Sequence, residues 1–324
     1  MVRIVAALML AGVTALGAAH AQPGYPARPI VVAVPFAAGG PVDVMARIVG
    51  EHMSRTLGQQ LVVENVTGAG GTVGVRRAAQ AAPDGYTLSV GNPGSHAAAF
   101  GIYGTRAGYD PREFEPIGLI SSTPMYLVVR NDLPAKTLRD FVGFAKSNPG
   151  KITTGHGGVG GITHLTCALL ASVSGIELTL VPYRGSAPAM NDLIAGQIDA
   201  LCDSTVSALP QMSAGKVRAL VVAEAARVPF SPEVPAAPEA GLPTFLATSW
   251  NAMFAPKGTP RPVLEKLAAA LQAALADPGV QKRIADLGGT LPSPDQGPDW
   301  LRGFVRDEVE KWGMVVRSAN ITPQ

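Results

Sequence analysis

Three glycine-rich loops are the parts of this 324-residue chain best suited to chemistry, and the chemistry they suit is the holding of an anion. They are Pro35-Phe36-Ala37-Ala38-Gly39-Gly40, Thr67-Gly68-Ala69-Gly70-Gly71-Thr72 and Gly155-His156-Gly157-Gly158-Val159-Gly160-Gly161. Glycine lets main chain approach a ligand closely. A helix that begins just after such a loop offers free N–H groups and a partial positive charge. An anion can be held there without any Arg or Lys. One such loop alone reads as a tight turn; three in strand-to-helix positions point to anion binding.

Catalytic arrangements are otherwise missing. Gly155-x-Gly157-x-x-Gly160 formally matches the dinucleotide fingerprint, with Glu177 at a suitable distance for a ribose acid. The fingerprint alone is weak, and export of the chain argues against a nicotinamide, so no cofactor is expected. There is no G-x-S-x-G elbow and no H-E-x-x-H. His52 falls on the apolar face of a helix and reads as packed core. His156 and His164, eight residues apart, lack helical metal-ligand spacing; no metal is expected. His164, at a helix start, either packs and hydrogen-bonds locally or touches ligand. Asp203-Ser204 follows a strand and can line a cleft, but as a nucleophile pair it lacks a base. Arg184 also follows a strand, where it either reaches the cleft or serves a structural salt bridge.

These loops need a frame. Residues 1–21 read as a signal peptide: Arg3, an apolar stretch from Ile4 to Ala18, and the cleavage site Ala19-His20-Ala21, with Gln22 as the mature start. The alternative, a membrane anchor, is disfavoured because a span needs about 20 apolar residues. Without Arg3 the chain carries 25 basic against 24 acidic side chains, a balance that gives no footprint for nucleic acid or anionic membrane. Cys167 and Cys202 are the only cysteines, without C-x-x-C spacing. In an oxidising compartment they read as a disulfide; two separate buried thiols is the alternative.

Short β-branched runs alternate with amphipathic stretches. Strands are expected at 30–34, 61–64, 86–90, 116–120, 125–130, 152–154, 178–182, 198–202, 217–223 and 251–255. Helices are expected at 41–57, after Thr137, at 163–174 and 187–195, and in three successive C-terminal stretches. Met45, Ile48, Val49, Met53 and Leu57 share one helical face. The alternation implies an α/β class with parallel sheets covered on both faces.

Several segments together resemble a known family. Pro35-Phe36-x-x-Gly39-Gly40-x-x-Asp43, Glu64-Asn65-x-x-Gly68-Ala69-Gly70-Gly71 and Pro83-Asp84-Gly85-Tyr86-Thr87-Leu88 resemble the Bug/TctC extracytoplasmic solute receptors of tripartite tricarboxylate transporters. So do Gly160-x-x-Thr163-His164-Leu165, Val181-Pro182-Tyr183-Arg184-Gly185, Asp192-Leu193-x-x-Gly196-Gln197 and Phe254-Ala255-Pro256-x-Gly258-Thr259-Pro260. Ala37-Ala38 departs from the bulkier or Pro residues frequent there. The resemblance implies a two-domain Venus-flytrap periplasmic binding protein fold, type II-like, with two crossing strands. It implies a carboxylate held largely by backbone N–H groups and water, without fixing the substrate: members similar in these loops take organic acids, acidic amino acids or neutral compounds, of which a small carboxylate, an organic acid or acidic amino acid, is expected here. It also implies a membrane permease as partner and the periplasm as location.

The expectations follow. Domain 1 takes 22–124 and 250–324, domain 2 takes 125–249, and the protein is a monomeric receptor rather than an enzyme. The carboxylate sits at the start of the first helix, against Phe36, Ala38, Gly39 and Gly40, with Gly70 and Gly71 beside it. Gly158, Gly160, Thr163 and His164 close on it, and Asp203 or Ser204 adds a polar contact. Arg184 is the one candidate cation. Asp43 fixes its own loop, because a carboxylate facing an anionic ligand repels it. A secreted enzyme on the same bilobal fold, and a ligand sensor feeding a signalling partner, are the competing readings.

Overall fold

A computed structural model describes residues 24–318 and 321; the expected signal peptide lies outside the described residues. The first strand, β1 (Ile30–Val34), is a β-branched run buried along almost its whole length. It leads through the first glycine loop into α1 (Pro41–Leu57). Pro41 opens α1 where the missing N–H costs nothing. Asp43 sits at its positive end and Gly58, at φ 70°, stops it. Met45, Val49 and Met53 are fully buried beneath the sheet. His52 is not core: it is half-buried at the rim, its Nε2 3.9 Å from Asp277 Oδ2. The helix is amphipathic there, but its neighbour is the polar start of a later helix.

β2 (Leu61–Asn65), α2 (Thr72–Ala79) and β3 (Thr87–Gly91) complete a parallel unit in which β1 lies between β2 and β3. A helical stretch, wide-turned over Gly94–Ala98 and then α3 (Ala99–Tyr103), follows β3. Its Gly- and Ala-rich sequence carries no periodic apolar face, which is why pattern reading passes over it.

The two strands expected at 116–120 and 125–130 are one, β4 (Glu115–Arg130), sixteen residues long. Ser121-Ser122-Thr123-Pro124 looks like a turn, yet these residues pair with β9 (Thr248–Ala255). Pro124 lies at the end of that pairing, where a missing donor is tolerated. Beyond it β4 pairs with β7 (Ala200–Ser204) and β8 (Val217–Val222). The whole sheet runs β2-β1-β3-β9-β4-β7-β5-β6, with β8 also on β4; β5 is Thr153–His156 and β6 Thr179–Pro182. The sheet is therefore mixed, not parallel. All pairings of β4 and β9 are antiparallel. One strand leaves the first unit as the other returns, so the two must run in opposite directions.

The helices of the second unit are α4 (Leu138–Ser147), α5 (Ile162–Ser174), α6 (Ser186–Ile194) and α7 (Thr205–Ser213). Pro210 inside α7 hid this helix from pattern reading. Thr137 caps α4 in a full capping box with Asp140. Thr137→Ala is expected to cost about 1 kcal/mol in chemical denaturation without touching the cleft. Cys167 on α5 and Cys202 on β7 form a disulfide, Cα atoms 5.6 Å apart.

The chain ends in α8 (Arg261–Ala276), α9 (Pro278–Asp286) and α10 (Pro298–Ser318). α8 and α9 lie against α1, and α10 against the Gly94–Tyr103 stretch. Glu308 on α10 accepts from the indoles of Trp250 and Trp312, both at 2.8 Å, and so ties α10 to β9.

Candidate functional site

Five helices begin at one cleft. α1 starts after β1, α2 after β2, α5 after β5, α6 after β6 and α7 after β7. Their N-cap residues are Gly40, Gly71, Gly161, Gly185 and Ser204, and none of them caps its helix with a side chain. Away from the cleft, α4 and α9 are capped by Thr137 and Asp277, while α8, which follows Pro260, has no side-chain cap. The first-turn N–H groups of a helix have no intrahelical acceptor. Leaving five such ends uncapped around one space makes it electropositive without a cation.

Two adjoining cavities occupy that space. The larger, about 410 Å³, lies between Thr67–Gly71, Gly157–Val159 and Pro182–Arg184. The smaller, about 20 Å³, is bounded by the starts of α1, α5, α6 and α7, with Thr163, Ser186, Asp203 and Ser204 among its lining. Phe36 and Gly157 line both. The smaller pocket is roughly the size of one water.

The expected site residues divide between these cavities. Gly70, Gly71, Gly158 and Arg184 line the larger, Thr163, Asp203 and Ser204 the smaller, and Phe36 both. Ala38, Gly39, Gly40, Asp43, Gly160 and His164 line neither. Ala38 and Gly39 are exposed. Gly40 donates its N–H to Ala37 within its own turn. Asp43 is turned into its loop, accepting from Gly39 N at 2.9 Å, Asn65 Nδ2 at 2.9 Å and the Arg47 guanidinium. Burial alone would raise its carboxyl, but these hydrogen bonds outweigh it and hold the group below its ordinary value.

His156 and His164 pack with ring centroids 4.5 Å apart and planes tilted by 34°. Their Nδ1 atoms accept from Gly158 N and Gly160 N, so the pair pins the third loop from beneath. Burial pushes them down to about 3 and about 4, which keeps both neutral acceptors. Thr163 Oγ1 accepts from Gly157 N at 2.7 Å and braces the same loop. Arg184 is exposed on the rim, and among the described residues no ion pair engages it. Among the described residues no group of three or more His, Cys, Asp or Glu can hold a metal, and no helix is long and apolar enough to cross a membrane.

Across the cleft the two sides meet through main chain. Ala37 N donates to Arg184 O at 3.1 Å. A Cβ on Gly70 would run into the Val159 carbonyl, one on Gly94 into Gly161, and one on Gly185 into Ala37 N at 2.9 Å. Sequence reading assigned such glycines to an anion or to tight turns. Several serve the approach of one side to the other, and Gly94 and Gly185 were missed for that reason.

A family model described as the tripartite tricarboxylate transporter family receptor matches residues 45–321. The chain belongs to this family. MatC from Rhodopseudomonas palustris, solved with bound malate, is 41% identical, with 90% of this chain and 100% of that one covered and a TM-score of 0.87. The periplasmic binding protein BugD is 41% identical, with 93% and 100% covered and a TM-score of 0.89. Another R. palustris protein, solved with adipate, is 32% identical, with 93% and 100% covered and a TM-score of 0.87. The fold of the receptor is thus the two-lobe periplasmic binding protein fold, and its relatives are binding proteins rather than enzymes. Within the receptor, Ser186, Asn92 and Ser249 also line the small pocket and escaped sequence reading. Asn92 and Ser186 each follow a strand end, the position where open α/β sheets bind ligands; that signal was present.

Proposed function

We propose that this receptor captures a small carboxylate in the periplasm and presents it to the membrane subunits of a tripartite transporter. The observation that carries the reading is the convergence of five helix starts without side-chain caps on one cleft. One oxygen of a carboxylate enters the small pocket, where first-turn N–H groups and hydroxyls replace its water. The remainder of the molecule occupies the adjoining 410 Å³ cavity. That MatC was solved with malate and a second relative with adipate supports a dicarboxylate. In this reading lobe one comprises 22–124 and 250–324, lobe two comprises 125–249, β4 and β9 form the hinge, and residues 1–21 direct export.

A thermal-shift screen across dicarboxylates, tricarboxylates, aromatic acids and amino acids tests the reading. A ligand at 100 times its Kd stabilises by about 2.7 kcal/mol; a screen in which no carboxylate raises the melting temperature defeats it. Arg184→Ala, removing an exposed rim charge, is expected to weaken binding by less than about 1 kcal/mol, and less still in high salt. Isothermal calorimetry at two ionic strengths reads this directly. A loss above about 3 kcal/mol, of the order of a broken buried pair, would place the anion on the guanidinium instead.

A further inference from the structure

Asp203 is the one acidic side chain in the lining of the small pocket. It is fully buried. Its Oδ1 accepts from Ser186 Oγ and from Ser204 N, both at 2.8 Å, while among the described residues its Oδ2 has no partner of good hydrogen-bond geometry, although the Ser207 hydroxyl of α7, itself unpartnered, lies near enough to act on the carboxyl. Beside it the Ser204 hydroxyl, 3% exposed, is also unpartnered. Two buried polar atoms without partners, in one pocket at the starts of α1, α5 and α7, are groups waiting for a ligand. An ionised Asp203 there would face an anionic ligand across a few ångströms of low dielectric with no side-chain cation between them. A neutral Asp203 offers an O–H instead.

We propose that Asp203 couples capture to a proton: in its neutral form its free Oδ2 donates a hydrogen bond to a carboxylate of the ligand, so that binding takes up a proton from solvent. This rests on the carboxylate reading above. Burial pushes the Asp203 carboxyl up to about 7, and the hydrogen-bonding groups of Ser186, Ser204 and Ser207 only partly oppose it. The titratable and charged groups on the packed elements do not mask the effect. Tyr126, its register partner on β4, is pushed up to about 12 by burial. Arg130, at the far end of β4, is paired with Asp199 and Asp132. Burial pushes His156 on β5 and His164 on α5 down to about 3 and about 4. Asp192 on α6 accepts from Tyr183 Oη at 2.7 Å. α7 carries no ionisable side chain. On the opposite side of the cleft, Asp43 and Arg47 of α1 pair with each other.

Malate and adipate, both fully ionised above about pH 6.5, are the probes. Their Kd for the full mature chain should be flat from about pH 6.5 down to pH 6 and rise about tenfold per pH unit above about 8. Calorimetry at pH 8 in phosphate and in Tris should report uptake of about one proton per ligand. Asp203→Asn, which keeps a donor at the Oδ2 position, should bind with a Kd independent of pH over this range. A flat wild-type profile with no proton uptake overturns the inference while leaving the carboxylate reading intact, and so does an unchanged slope in Asp203→Asn. Loss of binding in Asp203→Asn with a flat wild-type profile would show an ionised Asp203 accepting from a ligand hydroxyl or ammonium, and also overturns it. Binding of no carboxylate at any pH defeats the earlier reading and this one with it. Should Asp203→Asn not fold, the wild-type proton count decides alone.

Discussion

Gly70→Ala is expected to weaken binding of a dicarboxylate by at least about 100-fold while leaving a folded protein. Gly70 sits at φ 64°, and a Cβ there would collide with the main-chain carbonyl of Val159 across the cleft. A main-chain carbonyl cannot rotate away as a side chain can, so the two sides must part by an ångström or more. The neighbouring contacts, Ala37 N to Arg184 O at 3.1 Å and the Gly94–Gly161 approach, then open with them. Binding in this reading needs helix starts from both sides around one carboxylate. If the closed arrangement falls to about 1% of the population, the apparent affinity falls by the same factor.

The backbone cost of alanine at positive φ, about 1–2 kcal/mol, must be separated from this. Gly150→Ala provides the match: φ is 68° and nothing lies within 4 Å of the added Cβ. Both variants should lose similar stability in chemical denaturation, and only Gly70→Ala should lose affinity by calorimetry. If Gly70→Ala binds within threefold of the wild type, closure through these glycines is not required for capture.

The same glycines show where sequence reasoning reached and where it stopped. β1, α1 and α5 were legible because each buries an apolar pattern of the right period and is bounded by Pro or Gly. The glycine loops were legible as special, because glycine at strand-to-helix junctions has few uses. What each glycine does was not legible, since Gly70 against Val159 and Gly185 against Ala37 are contacts between distant segments. β4 was read as two strands because Ser121 to Pro124 carries turn residues; only its pairing with β9 makes it continuous. His156 and His164 offered no helical spacing, yet the loop between them folds back so that the rings pack against each other. Asp203 was named as a polar contact, but its unpartnered oxygen depends on Ser186, seventeen residues earlier, taking the other one.

Replacing Cys167 and Cys202 together by Ala is expected to cost about 3–4 kcal/mol of stability, from the entropy the cross-link removes from the unfolded chain. The bridge spans a sequence separation of 35, and both residues are fully buried, so they contribute packing as well. Alanine is the proper replacement, because a buried serine hydroxyl would add an unsatisfied polar group of its own. The bridge also has a place in the site. Cys167 is on α5, whose start carries Gly161 and Thr163, and Cys202 immediately precedes Asp203 on β7. It holds one helix start and the pocket floor in fixed relation. Those two elements are nonetheless packed together independently, through Leu165 and Leu170 in the same apolar cluster as Ala200. Denaturant midpoints should therefore fall sharply in the double variant and in the reduced wild type, to similar values. The dicarboxylate Kd, measured at a temperature where the variant is folded, should shift by no more than a few-fold. Thiol titration of the unfolded, unreduced wild type should find no free thiol. An unchanged midpoint would mean that the cross-link does not constrain the unfolded chain, and two reactive thiols would mean that it does not form.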